Sequence, residues 1–235
     1  MNKREDDKYA VIVAGGSGKR MKSELPKQFM RLADQPVLMH TLRVFHKFDR
    51  ELEIIIVLHA DYFDLWKSIC EKHSCSVPHR VIKGGETRFY SVKNGLEAID
   101  CDNGLVAIHD AVRPLVNKQT IKRCFDSALK YGNALPAISP NESVRTIITG
   151  GNKPLDRENI FMVQTPQVFS VALIKEAYKQ KYKPCFTDDA SVLEATGEKI
   201  NIVEGDVLNI KLTTPADIEY AEMVLKQRKR RKVKS

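Results

Sequence analysis

The stretch AGGSGKRMKSELPKQ, residues 14 to 28, sets Gly15, Gly16 and Gly18 beside Lys19, Arg20, Lys22 and Lys27. Glycines lack a Cβ, so backbone N–H groups can close on an anion, and such amides after a strand make a phosphate cradle. Four cations within nine residues add more charge than amides alone supply, which suits a diphosphate or triphosphate. The common phosphate loops do not fit. A dinucleotide fingerprint needs Gly or Ala where Met21 stands, and a Walker loop needs Ser or Thr where Arg20 stands and Gly where Val13 stands. A solvated surface loop is the competing reading.

Three further segments carry charge or hydroxyls. HDAVRP at 109 to 114 offers Asp110, suited to a polar substrate or metal-bound water, and Arg113, suited to a phosphate fork; a local ion pair is the alternative. GGETRFYSV at 84 to 92 pairs glycines again and offers Ser91, either facing a nucleobase or capping a helix. NIKLTTP at 209 to 215 reads as an apolar strand containing one lysine, Lys211, which either snorkels to solvent or is held by an anion.

Apolar, β-branched runs at 9–14, 52–58, 79–82, 104–109 and 133–138 read as strands buried on both faces. Helical faces lie between them: Leu38, Leu42, Phe45 and Phe48; Phe89, Val92, Leu96 and Ile99; Ile121, Cys124, Phe125, Ala128 and Leu129. The alternation predicts an α/β fold, a mostly parallel sheet flanked by helices, with ligands beyond the carboxyl ends of its strands. The quoted loop ends the first strand and HDAVRP ends the fourth, so both face one rim. After residue 138 a short strand, a TGGN turn and a second short strand predict a protruding hairpin arm over about 139–160. Helices then resume near Val171, at a Thr187 cap, and after Thr214 with Pro215 in first position.

The length of 235 residues favours one domain, residues 1–225. The tail KQRKRRKVKS, 226–235, carries seven of the net eight positive charges and is expected to be disordered. With that tail set aside the chain is nearly neutral, which argues against a nucleic-acid partner. Five cysteines without a C-x-x-C pair indicate reduced thiols, and CEKHSC at 70 to 75 reads as helix-end packing, with no metal site assigned. No run approaches the roughly 20 apolar residues of a membrane helix, and the charged start lacks a secretory signal, so a cytoplasmic location is expected.

Taken together, Ala14 to Met21, LPKQF at 25–29, GGETRFYSVKNGL at 84–96, HDAVRP, QTPQVF at 164–169, TDDAS at 187–191 and NIKLTTPAD at 209–217 resemble the 2-C-methyl-D-erythritol 4-phosphate cytidylyltransferases. The likeness spans about residues 8 to 225, in order. It implies a Rossmann-like nucleotidyltransferase fold that transfers a cytidylyl group from CTP to the polyol phosphate in non-mevalonate isoprenoid synthesis, releasing pyrophosphate. It further implies Mg2+ or another divalent cation bound with CTP, and a homodimer formed through the arm. Carried over by motif, Arg20 and Lys27 stabilise the transition state, and Lys211 and Arg157 position the attacking phosphate, Arg157 from the partner's arm. Ala14, Gly15, Gly16, Ser17 and Gly18 cradle the CTP phosphates, and Gly85, Glu86 and Ser91 read cytosine. Asp110 touches both substrates, while Arg113, Ser143, Thr165 and Thr187 contact the sugar phosphate. Ser143 stands where the family has threonine. A sister enzyme acting on ribitol 5-phosphate is the alternative.

Overall fold

The structure, a computed structural model, describes residues 7–15 and 25–233. From β1 (Lys8–Val13) the chain passes a small ribbon, β2 (Arg31–Leu32) and β3 (Gln35–Pro36), into α1 (Val37–Phe48) and β4 (Glu53–Leu58). Next come α2 (Phe63–Lys72), β5 (Arg80–Lys83), α3 (Arg88–Glu97), β6 (Leu105–Asp110), α4 (Lys118–Tyr131) and β7 (Asn133–Ile138). The remainder comprises β8 (Val144–Ile148), β9 (Gly151–Leu155), β10 (Met162–Val163), β11 (Gln167–Ser170), α5 (Val171–Ala177), α6 (Asp189–Glu194), β12 (Ile202–Glu204) and α7 (Pro215–Val233).

Eight strands form one sheet in the order β10-β7-β11-β6-β1-β4-β5, with β12 also on β7. Strands β5, β4, β1 and β6 are parallel, while β11 runs antiparallel between β6 and β7. The chain leaves β1 toward β4 and β5, then returns to its other side for β6. That reversal opens a crevice at the carboxyl ends of β1 and β6, where Val13 is laddered beside Asp110.

The central strands alternate between two cores. Ala10, Ile12, Ile54 and Ile56 pack under α1, α2 and α4, with Leu42, Phe45, Trp66 and Phe125. Tyr9, Val11, Ile55 and Val57 pack under α3, α5 and α6, with Phe89, Leu96, Ile174 and Leu193. Two covered faces explain why these strands read as continuous apolar runs. In α3, a Cβ on Gly95 would fall 2.6 Å from Val11 Cγ1 and 2.9 Å from Val57 Cγ2, so only glycine lets this helix lie so close to β1 and β4.

The five expected strands are present, and the arm is an antiparallel hairpin of β8 and β9 turning at Gly150. Cys70 and Cys75 pack against the first core, as expected of helix-end residues. Four local readings are corrected. Leu129 is exposed, because α4 buries only the Ile121, Cys124, Phe125 and Ala128 side of its surface. The α6 cap is Asp188, not Thr187: its carboxylate accepts from Ser191 N at 2.9 Å, in a reciprocal capping box. The segment around Lys211 is an extended loop, because Ile210 and Leu212 pack with α7 instead of joining a sheet. Residues 226–233, expected to be disordered, continue α7, whose Ala221 and Val224 are buried upstream.

Candidate active site

A cleft of about 900 Å3 opens at the carboxyl end of β1. Val13, Ala14 and Gly15 form its floor, Lys27 and Gln28 one flank, and Gly84 to Arg88 with Ser91 another. Lys27 begins a single 3-10 turn, Lys27–Phe29. Phe29 anchors that turn in the core, meeting the Tyr62 ring edge-on at 5.5 Å, and Gln28 Nε2 donates to Ala14 O at 2.7 Å. Lys27 is thereby held nearly buried, its Nζ donating to Thr213 O at 3.3 Å. A buried ammonium is costly in an apolar setting; here it lines a polar cleft.

On the opposite flank, a Cβ on Gly85 would lie 2.4 Å from Tyr90 Cβ, so the first turn of α3 requires glycine there. Thr87 caps α3, accepting from Tyr90 N at 3.4 Å. Ser91 is therefore not the cap. Its hydroxyl accepts from Gly85 N at 3.1 Å, bracing the glycine loop while lining the cleft.

A second cleft of about 290 Å3 adjoins the first and shares Arg88, Asp110 and Lys211 with it. Gln164, Thr165, Gln167, Thr187, Asp188 and Arg113 line it as well. Asp110, the last residue of β6, is the hub. Its Oδ2 receives Lys211 Nζ at 2.9 Å and Arg113 Nε at 3.4 Å, and its Oδ1 faces Arg88 Nε at 3.6 Å. Burial opposes ionisation of Asp110, but the charges of Arg88, Lys211 and Arg113 outweigh it and hold the carboxyl well below the usual range.

Beneath the hub, Thr165 Oγ1 accepts from Asp110 N at 3.0 Å and lies 3.1 Å from His109 Nδ1. Burial lowers the His109 pKa to about 4, so the imidazole is neutral at pH 7. Asn209 ties the smaller cleft together, its side chain donating to Thr165 O at 2.8 Å while its main-chain carbonyl accepts from Arg113 Nη1 at 2.8 Å.

The clefts thus gather Ala14, Gly15, Lys27, Gly85, Glu86, Ser91, Asp110 and Lys211 in the larger space and Arg113, Thr165 and Thr187 in the smaller. Gly16, Ser17, Gly18 and Arg20 lie outside the described residues. Ser143 and Arg157 sit on the arm and line neither cleft of their own chain; Arg157 Nη1 donates to Asn141 O at 3.0 Å. The anion expected beside Lys211 is the Asp110 carboxylate.

Sequence reasoning passed over Arg88, Gln28, Asn209 and Asp189. Arg88 carried a weak signal: a cation in the first turn of a helix opposes the macrodipole, and an acidic partner would offset that. That partner is Asp189, fully buried, whose two oxygens accept from Arg88 Nη1 at 2.8 Å and Nη2 at 2.7 Å. Burial works against the charged guanidinium, but the Asp189 carboxylate more than offsets it and raises the Arg88 pKa.

Among the described residues no cluster of three or more His, Cys, Asp or Glu could cage a metal ion. The carboxylates lining the clefts are Glu86, Asp110 and Asp188. Such a sparse donor set fits a divalent cation carried by a triphosphate and ligated chiefly by phosphate and water.

Residues 9–227 match the IspD family model, 2-C-methyl-D-erythritol 4-phosphate cytidylyltransferase. The enzyme of that name from Bacteroides fragilis is 48% identical over 216 residues, covering 92% of this chain and 98% of the relative. The Porphyromonas gingivalis enzyme is 47% identical over 223 residues, covering 94% and 99%. The crystal structure of 4-diphosphocytidyl-2C-methyl-D-erythritol synthase from Anaerococcus prevotii superposes with a TM-score of 0.81 at 30% identity, covering 94% of this chain and 97% of that one. Family match, relatives and superposed fold agree along nearly the whole sequence, and the chain belongs to the 2-C-methyl-D-erythritol 4-phosphate cytidylyltransferase family.

Proposed function

We propose that the larger cleft holds CTP, the smaller holds 2-C-methyl-D-erythritol 4-phosphate, and Asp110 stands between them. As a member of its family the chain forms 4-diphosphocytidyl-2-C-methyl-D-erythritol and pyrophosphate. A phosphate oxygen of the polyol attacks the α-phosphorus of CTP, the bond to the β-phosphate oxygen breaks, and pyrophosphate leaves with the electron pair. No side chain need become covalently modified. The obstacle is that one anion attacks another, and the remedy is fixed positive charge. At about 4 Å and an effective dielectric near 20, each cation contributes on the order of 4 kcal/mol before desolvation. Such catalysis is positioning plus electrostatics.

In this reading Lys27 faces the triphosphate, Arg20 is assigned the same role by its motif, and Lys211 orients the attacking phosphate. Ala14 and Gly15 open the phosphate cradle that Gly16, Ser17 and Gly18 continue, and Gly85, Glu86 and Ser91 border the base. Arg113, Thr165 and Thr187 receive the sugar phosphate. Mg2+ or another divalent cation bound with CTP would screen the triphosphate, with Asp110 as the nearest acid common to both clefts. Ser143 and Arg157 serve the site of a second copy, reached through the arm of a homodimer. We assign the basic end of α7 no catalytic role and place the enzyme in the cytoplasm, where both substrates are soluble; no described helix is long and apolar enough to cross a membrane.

The observation that carries the reading is the Asp110 hub: one carboxylate at a strand end, three cations around it, and two clefts meeting there. The relatives carry the methylerythritol name, which favours that acceptor over ribitol 5-phosphate. Pyrophosphate release from CTP, measured with each polyol phosphate, tests it. Turnover is expected with the methylerythritol compound, and turnover of ribitol 5-phosphate alone would overturn the assignment.

A further inference from the structure

We propose that Asp189 is a positioning residue for the transfer, acting through Arg88 to fix the Asp110 hub between the two clefts; this rests on the reading of the clefts given above. Asp189 lines neither cleft and has no exposed surface. Arg88 Nη1 and Nη2 take one carboxylate oxygen each, and Tyr178 Oη donates to Oδ1 at 2.6 Å. A buried ion pair is weak evidence for stability, because well-packed apolar residues often serve as well. Its value here lies in where it aims Arg88. With one N–H of each Nη committed to Asp189, the guanidinium already has its end-on fork occupied. It presents Nε to Asp110 Oδ1, leaving Oδ2 to Lys211 and Arg113.

Asp189 is itself held firmly. It opens α6 directly behind Asp188, whose capping box closes on Ser191, and Ala190 N donates to Gln167 Oε1 at 2.8 Å while Gln167 Nε2 donates to Asp188 Oδ2 at 2.9 Å. These bonds pin the start of α6 to β11. Thr187 and Asp188, which immediately precede it, line the smaller cleft. The chain Tyr178–Asp189–Arg88–Asp110 therefore ties the acceptor wall to the nucleotide cleft. Without the Asp189 charge, the Nη groups of Arg88 are released to compete with Lys211 and Arg113 for Asp110 or to grip the triphosphate out of line.

The test is steady-state kinetics of Asp189→Asn, near-isosteric but uncharged, with turnover expressed per folded molecule and Tm measured alongside. Displacement of reacting groups by about 1 Å costs on the order of 100-fold, so kcat is expected to fall roughly 10- to 100-fold while KM for CTP moves by less than about three-fold. Arg88→Lys is expected to lower kcat similarly, and the double variant to be little worse than either single, as for residues acting through one contact. A purely structural ion pair would lower Tm and leave kcat per folded molecule unchanged, and that result overturns the proposal. Should Asp189→Asn not fold, Tyr178→Phe carries the test, since it keeps the ion pair and removes one hydrogen bond: lowered kcat at unchanged Tm supports the proposal, and unchanged kcat overturns it. Lys27→Ala and Lys211→Ala in the same assay separate the two readings. Full turnover in both sinks the cleft assignment and this proposal with it, whereas loss in both with an unaffected Asp189→Asn sinks the positioning role alone.

Discussion

The strand-end rim and the hairpin arm break the rule of apolar inside and polar outside in opposite directions. At the rim, Asp110 is 7% exposed and His109, Gln167 and Asp189 are fully buried. On the arm, Ile147 is 89% exposed and Ile148 46%, and beyond it Phe161 and Met162 are each 45% exposed. Buried charge is tolerated where every member has a partner, and the Asp110 and Asp189 carboxylates both do. Exposed apolar surface of this extent marks a contact face, which we read as the seat of a second copy. One region has its electrostatics assembled before substrate arrives, and the other is left with surface still to bury. Departures from the rule locate function better than conformity to it does.

The sharpest way to break that contrast is to remove a cation from the rim. Lys27→Ala is expected to lower turnover roughly 100- to 1000-fold, the scale for one transition-state donor, as read by pyrophosphate release. Near-normal turnover would move the chemistry away from this flank. In the proposed homodimer the two regions would meet across an interface. Lys27→Ala and Arg157→Ala chains, each inactive, are expected on mixing to recover roughly a quarter of wild-type activity, because half the dimers are hybrid and each hybrid has one intact site. No recovery despite proven subunit exchange would show that the arm serves its own chain.

A third expectation concerns the buried side. His109 is neutral when folded, with burial holding its pKa near 4 against an ordinary value of 6.5. The unfolded chain takes up that proton first as the pH falls. Stability is therefore full above about pH 6.5 and is lost toward pH 4, by on the order of 3 kcal/mol for this group. Urea midpoints across the window should show that slope flattened in His109→Gln; equal slopes would assign the acid sensitivity elsewhere. The smallest effect is expected at the end of α7. Deleting residues 231–235, C-terminal to the buried Val224, should leave turnover within about two-fold, since the proposed function gives them no part in the transfer.

The parallel half of the sheet was legible because β1, β4 and β6 are covered on both faces and spell unbroken aliphatic runs. Strand β11 was not. It is four residues long, begins with the buried polar Gln167, and inserts antiparallel between β6 and β7, a choice made by distant partners. NIKL carries strand-like composition, yet its apolar residues are spent on α7. At the site, Asp110, Arg113, Lys27 and Lys211 could be read singly because each is a charge in an unusual setting. Their mutual arrangement could not. Arg88 and Asp189 are 101 positions apart, and nothing local to either names the other. Thr187 was misread as a cap because Asp188, one residue on, accepts from Ser191 N, while Ala190 N, an amide a Thr187 cap would reach, donates to Gln167 Oε1.

The pairing of Val13 with Asp110 across β1 and β6 makes the backbone itself a gauge. Adjacent strands stand about 4.8 Å apart whatever their side chains, so the offset between Val13 and Asp110, and with it the proposed spacing of triphosphate and acceptor, is fixed by peptide geometry. Exchange of residues cannot stretch that gap. On the proposed cleft assignment, a change of preferred polyol would have to be cut into the Thr165 and Thr187 side of the enclosure, with the reacting ends of the two substrates left at an unaltered span.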